Sequence, residues 1–201
     1  MGQEMRNRRA FWTAKRGCDI LGALTLLPVL AVIALLLLIL NPWLNPGPLM
    51  FRQPRIGRHN SLFLMIKFRT MRPAPPAARF ADREQHRITP FAQYLRRFRL
   101  DELPQILNVL GGEMSLIGPR PEQPAFVRHY NQTLPGYARR HRLRPGISGL
   151  SQVRQGYTCD ADGAAQKLAL DLEYIDRAGM RLDGHIFWRT LVTITTGFGA
   201  L

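Results

Sequence analysis

The sequence contains few residues that could form a disulfide framework or a metal site. It has two cysteines, Cys18 and Cys159, in 201 residues. One pair does not make a disulfide framework, and its spacing matches no thiolate metal site, so we read both as reduced thiols in a cytosol-facing protein. The five histidines are never three or four residues apart. A histidine-based metal site on a helix is therefore not expected.

Acidic residues and the common nucleotide-binding motifs are also scarce. Asp and Glu number 14 against 28 Lys and Arg, which gives a formal charge of +14. This excess requires a negative partner, such as nucleic acid, an anionic membrane or a phosphorylated substrate. There is no glycine-rich phosphate loop, no G-x-G-x-x-G pattern and no Ser/His/Asp arrangement. The aromatic residues lie with leucines rather than between basic residues, which argues against nucleic acid.

One long run, residues 20–40, carries no charge. As a helix it is long enough to cross a hydrocarbon core of roughly 30 Å. It is too long for an ordinary signal-peptide core, and no small-residue cleavage motif follows it. We therefore predict a membrane segment that contacts lipids directly.

Both flanks of this run are basic. The ten residues are Arg6, Arg8, Arg9, Lys15, Arg16, Arg52, Arg55, Arg58, Lys67 and Arg69. Because basic flanks favour the cytoplasmic side, neither end favours translocation. A re-entrant helix that turns at Pro28, where a backbone donor is missing, satisfies both flanks. A straight, kinked helix that spans the membrane is the alternative.

The remaining pattern predicts an α-rich α/β fold. The apolar runs at 49–51 and 62–66 predict a β-hairpin, and residues 73–78 predict a loop. Thr89 and Pro90 begin a basic amphipathic helix, which suits either the membrane interface or an ordinary surface. Another helix follows at 103–110, with Asp101 as its N-cap.

Two loops and two further helices complete the prediction. Residues 113–121 and 144–149 are rich in Pro and Gly and predict loops. Residues 164–177 predict a helix, and the apolar stretch 186–198 predicts a helix lying on the membrane. We divide the chain into residues 1–48, a basic segment with the re-entrant helix, and residues 49–201, a catalytic region at the interface. The two regions are expected to form one unit.

The adjacent carboxylates Asp101 and Glu102 are the strongest candidates for chemistry. Such a pair can hold Mg²⁺ or attack phosphorus, although a capping acid is also a common structural feature. Arg120 and Arg144 lie in rigid loops and suit bidentate phosphate binding, with surface arginines in turns as the alternative. Asp160-Ala161-Asp162 weakly resembles a metal-binding Asp-x-Asp motif, but would also cap the next helix.

Several blocks of residues occur together in one order. They are Lys15-Arg16 with Asp19, the apolar run with Pro28, Gln53-x-Arg55-x-Gly57, Lys67-Phe68-Arg69-Thr70-Met71, Leu100-Asp101-Glu102-Leu103-Pro104-Gln105, Asn108-Val109-Leu110, Met114-Ser115-Leu116-Ile117-Gly118-Pro119-Arg120-Pro121, and Arg144-Pro145-Gly146-Ile147-Ser148-Gly149. Together they resemble the bacterial sugar transferase family, the monotopic polyprenyl-phosphate phosphoglycosyl transferases in their minimal catalytic form. The resemblance covers roughly residues 15–191.

The resemblance implies a reaction and its residues. Asp101 would attack the β-phosphate of a UDP-sugar and release UMP, and a polyprenyl phosphate would then attack the aspartyl phosphosugar, giving ping-pong kinetics. Mg²⁺ would neutralise the diphosphate. Asp101 and Glu102 are the metal-site candidates, with Glu102 as a ligand or a helper base. Arg96 and Arg120 would contact phosphate, and Arg144 is a third candidate.

The resemblance also implies a location. It predicts the cytoplasmic membrane, with the active site facing the cytosol, and an early step of exopolysaccharide, lipopolysaccharide or glycoconjugate synthesis. The sequence departs from the family at the membrane helix break, where Leu27-Pro28 replaces the frequent Ser-Pro. The sugar is not specified, and a homodimer is left open. A basic, membrane-anchored binding protein without catalysis is the main alternative.

Overall fold

The computed structural model of the chain describes residues 2–72, 87–155 and 161–196, without the side chains of residues 2–8 and 161–162. The predictions for the 73–78 loop, Cys159 and Asp160 therefore lie outside the described part, and Asp162 is described by its backbone alone. The fold is rich in helices, with two small sheets. In chain order the elements are α1 (Gly2–Leu44), β1 (Met50–Ile56), β2 (Leu62–Phe68), α2 (Pro90–Arg97), α3 (Gln105–Leu110), β3 (Ser115–Ile117), α4 (Pro124–Thr133), β4 (Gly146–Ser148), α5 (Leu150–Gln155), α6 (Ala161–Arg177) and α7 (Met180–Thr196).

Helix α1 contains the apolar run and Pro28. Among the described residues it is the one helix long and apolar enough to cross a membrane. Its buried side chains Ala23, Leu30 and Leu37 are seven residues apart and belong to one apolar cluster with buried residues of β2, α2 and α3. Such spacing places them on one stripe, and most of the other leucines of the run are exposed. A helix whose apolar surface is largely uncovered is compatible with membrane association.

Both ends of the apolar run are attached to the rest of the protein. Before it, the Lys15 ammonium lies 2.6 Å from the Asp183 carboxylate of α7. The Asp19 carboxylate accepts hydrogen bonds from the Ser115 hydroxyl and the Leu116 amide, both at 3.0 Å. After the run, the Asn45 side chain donates to the Arg69 carbonyl oxygen at 2.8 Å.

Strands β1 and β2 form an antiparallel hairpin, with Met50 opposite Phe68 and Ile56 opposite Leu62. The predicted hairpin is confirmed, and its strands are longer than the apolar runs. Asn108 of α3 joins this hairpin to the helix. Its side-chain amide donates to the Leu64 carbonyl oxygen at 2.9 Å and accepts from the Ile66 amide at 3.1 Å.

The two stretches predicted as loops pair as short parallel strands, so that prediction is wrong. Ser115 of β3 lies opposite Gly146 of β4, and Ile117 lies opposite Ser148. The glycines make this approach possible, because a Cβ at Gly146 would lie 2.1 Å from the Gly118 amide nitrogen. The Pro/Gly content that indicated loops therefore permits close contact between two backbones.

The helix predictions are largely confirmed. Thr89 caps α2 by accepting a hydrogen bond from the Ala92 amide at 3.2 Å, with Pro90 in the first turn. Helix α6 covers the predicted 164–177 helix. Helix α7 begins at Met180, earlier than expected, and residues 197–198 lie outside the described part. Helix α4 was not anticipated.

Candidate active site

The two candidate carboxylates lie in a 3₁₀ turn, Leu100–Glu102, between α2 and α3. Arg99 adopts a left-handed conformation, with φ 56°, and separates this turn from α2. Asp101 is not the N-cap of α3, because that position belongs to Pro104, which has no side-chain cap. Backbone hydrogen bonds of the 3₁₀ type take the place of a side-chain cap before α3. One of them runs from the Glu102 amide to the Arg99 carbonyl oxygen at 3.1 Å.

Glu102 is buried and held by two cations. Its Oε1 accepts a hydrogen bond from Lys67 Nζ at 2.9 Å and another from Arg120 Nη2, and its Oε2 accepts from Arg120 Nη1 at 3.2 Å. Burial disfavours the charged form, but attraction to Arg120 and Lys67 outweighs it and holds the pKa of Glu102 well below its usual range. Glu102 therefore stays ionised, and both of its oxygens are occupied.

Asp101 is as buried as Glu102 but is not engaged. It is 7% exposed, and in the ranges the structure describes its carboxylate accepts no hydrogen bond. Burial raises the pKa of Asp101, with a further increase from the negative charge of Glu102, while Lys67, Arg96 and Arg120 oppose the change. The result is an unbonded carboxylate surrounded by positive charge, which suits a nucleophile or a cation ligand.

The structure brings Arg96 and Arg120 to the carboxylates but not Arg144. Arg96 lies in the last turn of α2, and its buried Nη1 has no hydrogen-bond partner among the described residues. Arg120 follows β3 and binds Glu102. Arg144 lies at the far end of α3, where its Nε donates to the Gly112 carbonyl oxygen at 2.8 Å. The arginines and lysine with the largest effects on the pKa values of the pair are Lys67, Arg96, Arg99 and Arg120.

Three residues of this site have no role in the sequence-based assignment. Lys67 enters the sequence analysis as a basic flank of the apolar run and as part of a motif, and a single lysine in an otherwise apolar strand, β2, is the signal that points to a role in the site. Gln105 is fully buried, one turn after the carboxylates, and neither of its amide atoms has a hydrogen-bond partner. Gln152 donates to the Ile147 carbonyl oxygen at 3.2 Å and leaves its own Oε1 unpartnered.

Unpartnered buried polar atoms are rare in folded proteins, so each of these is a candidate contact for a ligand. Arg96 Nη1 and the Gln105 amide flank Asp101 in sequence. Gln152 shares the Ile147 carbonyl oxygen with Arg120 Nη1, which lies 3.5 Å from it.

Comparison with known proteins identifies the family. A sequence model of the bacterial sugar transferases matches residues 10–197. The chain belongs to the bacterial sugar transferase family. This confirms the resemblance drawn from the ordered motifs.

Named relatives cover most of this bacterial sugar transferase. It is 45% identical over 188 residues to a UDP-N-acetylgalactosamine-undecaprenyl-phosphate N-acetylgalactosaminephosphotransferase of Aeromonas hydrophila, covering 92% of this chain and 44% of that protein. A UDP-glucose:undecaprenyl-phosphate glucose-1-phosphate transferase of Caulobacter vibrioides is 39% identical over 90% of this chain and 70% of its own length. An exopolysaccharide production protein of Rhizobium leguminosarum is 37% identical over 92% of this chain and 97% of its own length. The chain thus spans less than half of the Aeromonas protein.

Proposed function

We propose that this chain transfers a sugar 1-phosphate from a UDP-sugar to a polyprenyl phosphate such as undecaprenyl phosphate, giving a polyprenyl diphosphosugar and UMP. The observation that carries the proposal is the pairing of an unbonded buried carboxylate, Asp101, with a carboxylate clamped by two cations, Glu102. The names of the relatives support the same reaction class. The enzyme would act early in exopolysaccharide, lipopolysaccharide or glycoconjugate synthesis.

The transfer proceeds in two displacements. An Asp101 carboxylate oxygen attacks the β-phosphorus, the bond from that phosphorus to the bridging oxygen breaks, and UMP leaves with the electron pair. The aspartyl phosphosugar then reacts with a phosphate oxygen of the polyprenyl phosphate, which forms the diphosphate bond and restores the Asp101 carboxylate. Because each displacement uses the same residue, the kinetics are ping-pong.

The neighbours of Asp101 position the substrate and stabilise charge. Arg96 has a buried guanidinium nitrogen with no protein partner, and it supplies a donor for a phosphate oxygen. Glu102 fixes Lys67 and Arg120 beside the reacting phosphorus, so that their positive charge is preorganised where negative charge develops. This is a positioning role, distinct from the ligand or base roles open to Glu102 on sequence grounds.

Mg²⁺ fits this site as a companion of the diphosphate. The described residues contain no group of three or more His, Cys, Asp or Glu side chains that could hold a metal. Mg²⁺ usually takes one or two carboxylates together with substrate phosphates, so such a group is not required. Asp101 has free oxygens, whereas those of Glu102 are paired with Lys67 and Arg120. When bound, Mg²⁺ would neutralise negative charge on the diphosphate.

Release of UMP from a panel of UDP-sugars tests this function. With polyprenyl phosphate and Mg²⁺ present, we expect one or a few donors to give UMP, and UDP-glucose and UDP-N-acetylgalactosamine are the first to try because relatives carry those names. Some UMP should form without the acceptor, in an amount no greater than the enzyme, as covalent intermediate accumulates. A folded protein that releases no UMP from any donor would favour the binding-protein alternative.

The membrane arrangement is a second part of the proposal. We infer that α1 is re-entrant at Pro28 in the cytoplasmic membrane, with the active site on the cytosolic face, and that residues 1–48 and 49–201 act as one unit. In a straight helix, residues 16 and 45 would be roughly 43 Å apart. Yet Arg16 donates to the Val109 carbonyl oxygen of α3 at 2.8 Å, and Asn45 binds Arg69 just after β2. Helix α3 and strand β2 are themselves joined through Asn108. This supports an arrangement in which the two ends of the apolar run lie on the same side of the membrane.

Labelling of the two termini in cells tests this topology. Single cysteines introduced at Gly2 and Leu201 should both stay unreactive to a membrane-impermeant thiol reagent until the cells are permeabilised. A periplasmic marker protein provides the positive control. Reaction at position 2 in intact cells, with position 201 protected, would show that α1 spans the membrane.

A further inference from the structure

Three arginines converge at the C-terminal end of α3, away from the active site. Arg16 donates to the Val109 and Leu110 carbonyl oxygens at 2.8 and 3.3 Å. Arg144 approaches from the other side of Gly112 and binds its carbonyl oxygen. Arg58, at the hairpin tip, binds the backbone two residues before Arg144, at the Arg142 carbonyl oxygen.

Capping of the helix carbonyls explains only part of this cluster, which we call the arginine cluster (Arg16, Arg58 and Arg144). In the part of the chain that the structure describes, Arg144 donates only through Nε and Arg58 only through its Nε, at 3.2 Å from the Arg142 carbonyl oxygen. Their Nη groups are left to bind something else. Such planar forks match the geometry of a phosphate group.

In the described part of the chain, no carboxylate forms an ion pair with any of the three arginines of the cluster. Burial lowers the pKa of Arg144, and repulsion from Arg16 and Arg58 lowers it further. Asp19 is the carboxylate that opposes this effect, but it already accepts hydrogen bonds from Ser115 and Leu116. Three like charges held together in this way favour an anionic ligand.

The position of the arginine cluster indicates where that anion comes from. Arg16 lies one helical turn before the apolar run. Leu21, near the start of that run, is 64% exposed. Arg58 precedes the exposed hairpin residues Leu62 and Leu64. Basic side chains that adjoin exposed apolar residues in this way favour the level of lipid headgroups.

We propose that the arginine cluster is a binding site for the phosphate of an acidic phospholipid headgroup, separate from the substrate site. The lipid phosphate accepts hydrogen bonds from the free Nη groups of Arg58 and Arg144, while its acyl chains lie along the apolar surface of α1. The inference extends the membrane association of the chain and does not depend on the transferase reaction.

Thermal unfolding of the full chain in an uncharged detergent tests the site. Dioctanoyl phosphatidylglycerol should raise the Tm in a saturable way, whereas dioctanoyl phosphatidylcholine and inorganic phosphate at the same concentrations should leave it nearly unchanged. In Arg58→Gln, the apparent Kd for phosphatidylglycerol should rise severalfold, and in Arg58→Gln/Arg144→Gln about tenfold or more. Arg58→Gln alone leaves the capping of α3 intact, so it keeps the test valid if the double variant folds poorly.

Arg128→Gln is the matched control, because it removes the same charge from an exposed position on α4. It should retain the parent's response to phosphatidylglycerol. An equal loss in Arg128→Gln would reveal attraction to net charge alone, and an equal Tm rise with inorganic phosphate would reveal a site for soluble anions. Either result, or an unchanged response in both cluster variants, would overturn the proposal. Since the readout is binding, it is independent of UMP release.

Discussion

Asp101→Asn is expected to abolish UMP release, with turnover falling by at least about 10³-fold. The amide has nearly the shape of the carboxylate but cannot form the aspartyl phosphosugar. Because the Asp101 carboxylate accepts no hydrogen bond among the described residues, the substitution breaks no observed contact. It should also relieve repulsion with Glu102. The variant should therefore fold at least as well as the parent, and unfolding measured beside the UMP assay checks this.

The pH dependence of the parent gives a second reading of the same residue. Attack requires the deprotonated carboxylate, and burial raises the pKa of Asp101 above its usual value. The acid limb of kcat/KM should therefore fall at a higher pH than an exposed aspartate would give, by tenfold per pH unit below the pKa. Stability should not follow this limb, because a raised carboxylate pKa means that protonation favours the folded state.

Asp176→Asn is the control for these measurements. Asp176 is exposed and pairs only with Arg139 at the surface, with a nitrogen-to-oxygen distance of 3.2 Å. Its replacement should leave both turnover and the acid limb unchanged. UMP release by Asp101→Asn at the parent rate would exclude Asp101 as the nucleophile and, with it, the two-displacement reaction.

Local sequence signals were sufficient for some elements of this fold and not for others. The N-cap Thr89 and the first-turn Pro90 lie next to each other in the sequence, so the beginning of α2 could be predicted from a local signal. The pairing of β3 with β4 joins residues about thirty positions apart, and no periodicity within either segment reports it. Glycines in these segments indicate that the backbone makes a tight turn or a close contact. They do not distinguish a turn from pairing with a second strand.

The candidate site shows the same division. Asp101 and Glu102 are adjacent in the sequence, so the pair could be proposed as a site from the sequence alone. The clamp on Glu102 joins Lys67 from β2 and Arg120 from the segment after β3, and only folding brings these together. Arg144 has the same Pro/Gly surroundings as Arg120, yet it lies at the opposite end of α3. Residue type suggested phosphate binding for both Arg120 and Arg144. It could not show that the two arginines lie at opposite ends of α3.

Arg140→Met is expected to cost about 3–5 kcal/mol of folding stability. Arg140 is 4% exposed and lies 2.6 Å from the Asp171 carboxylate, which is 1% exposed. Burial disfavours the charged guanidinium, but Asp171 outweighs this and raises the pKa of Arg140 above its usual value. Without the arginine, Asp171 would remain as a buried charge whose other side-chain partner is the Ser151 hydroxyl. Domains are typically stable by only 5–15 kcal/mol, so thermal unfolding should detect the loss easily.

Two further variants separate the buried charge from other effects. Arg139→Met removes the neighbouring arginine, whose exposed pair with Asp176 should contribute less than about 1 kcal/mol. A loss in Arg140→Met no larger than this would contradict the prediction. Arg140→Met/Asp171→Leu removes both charges and should recover much of the stability. It should still turn over slowly, because Arg140 also donates to the Arg120 carbonyl oxygen at 2.8 Å. Without Arg140, the backbone of Arg120 would lose this hydrogen bond, and the position of Arg120 beside Glu102 would change even in a stable protein.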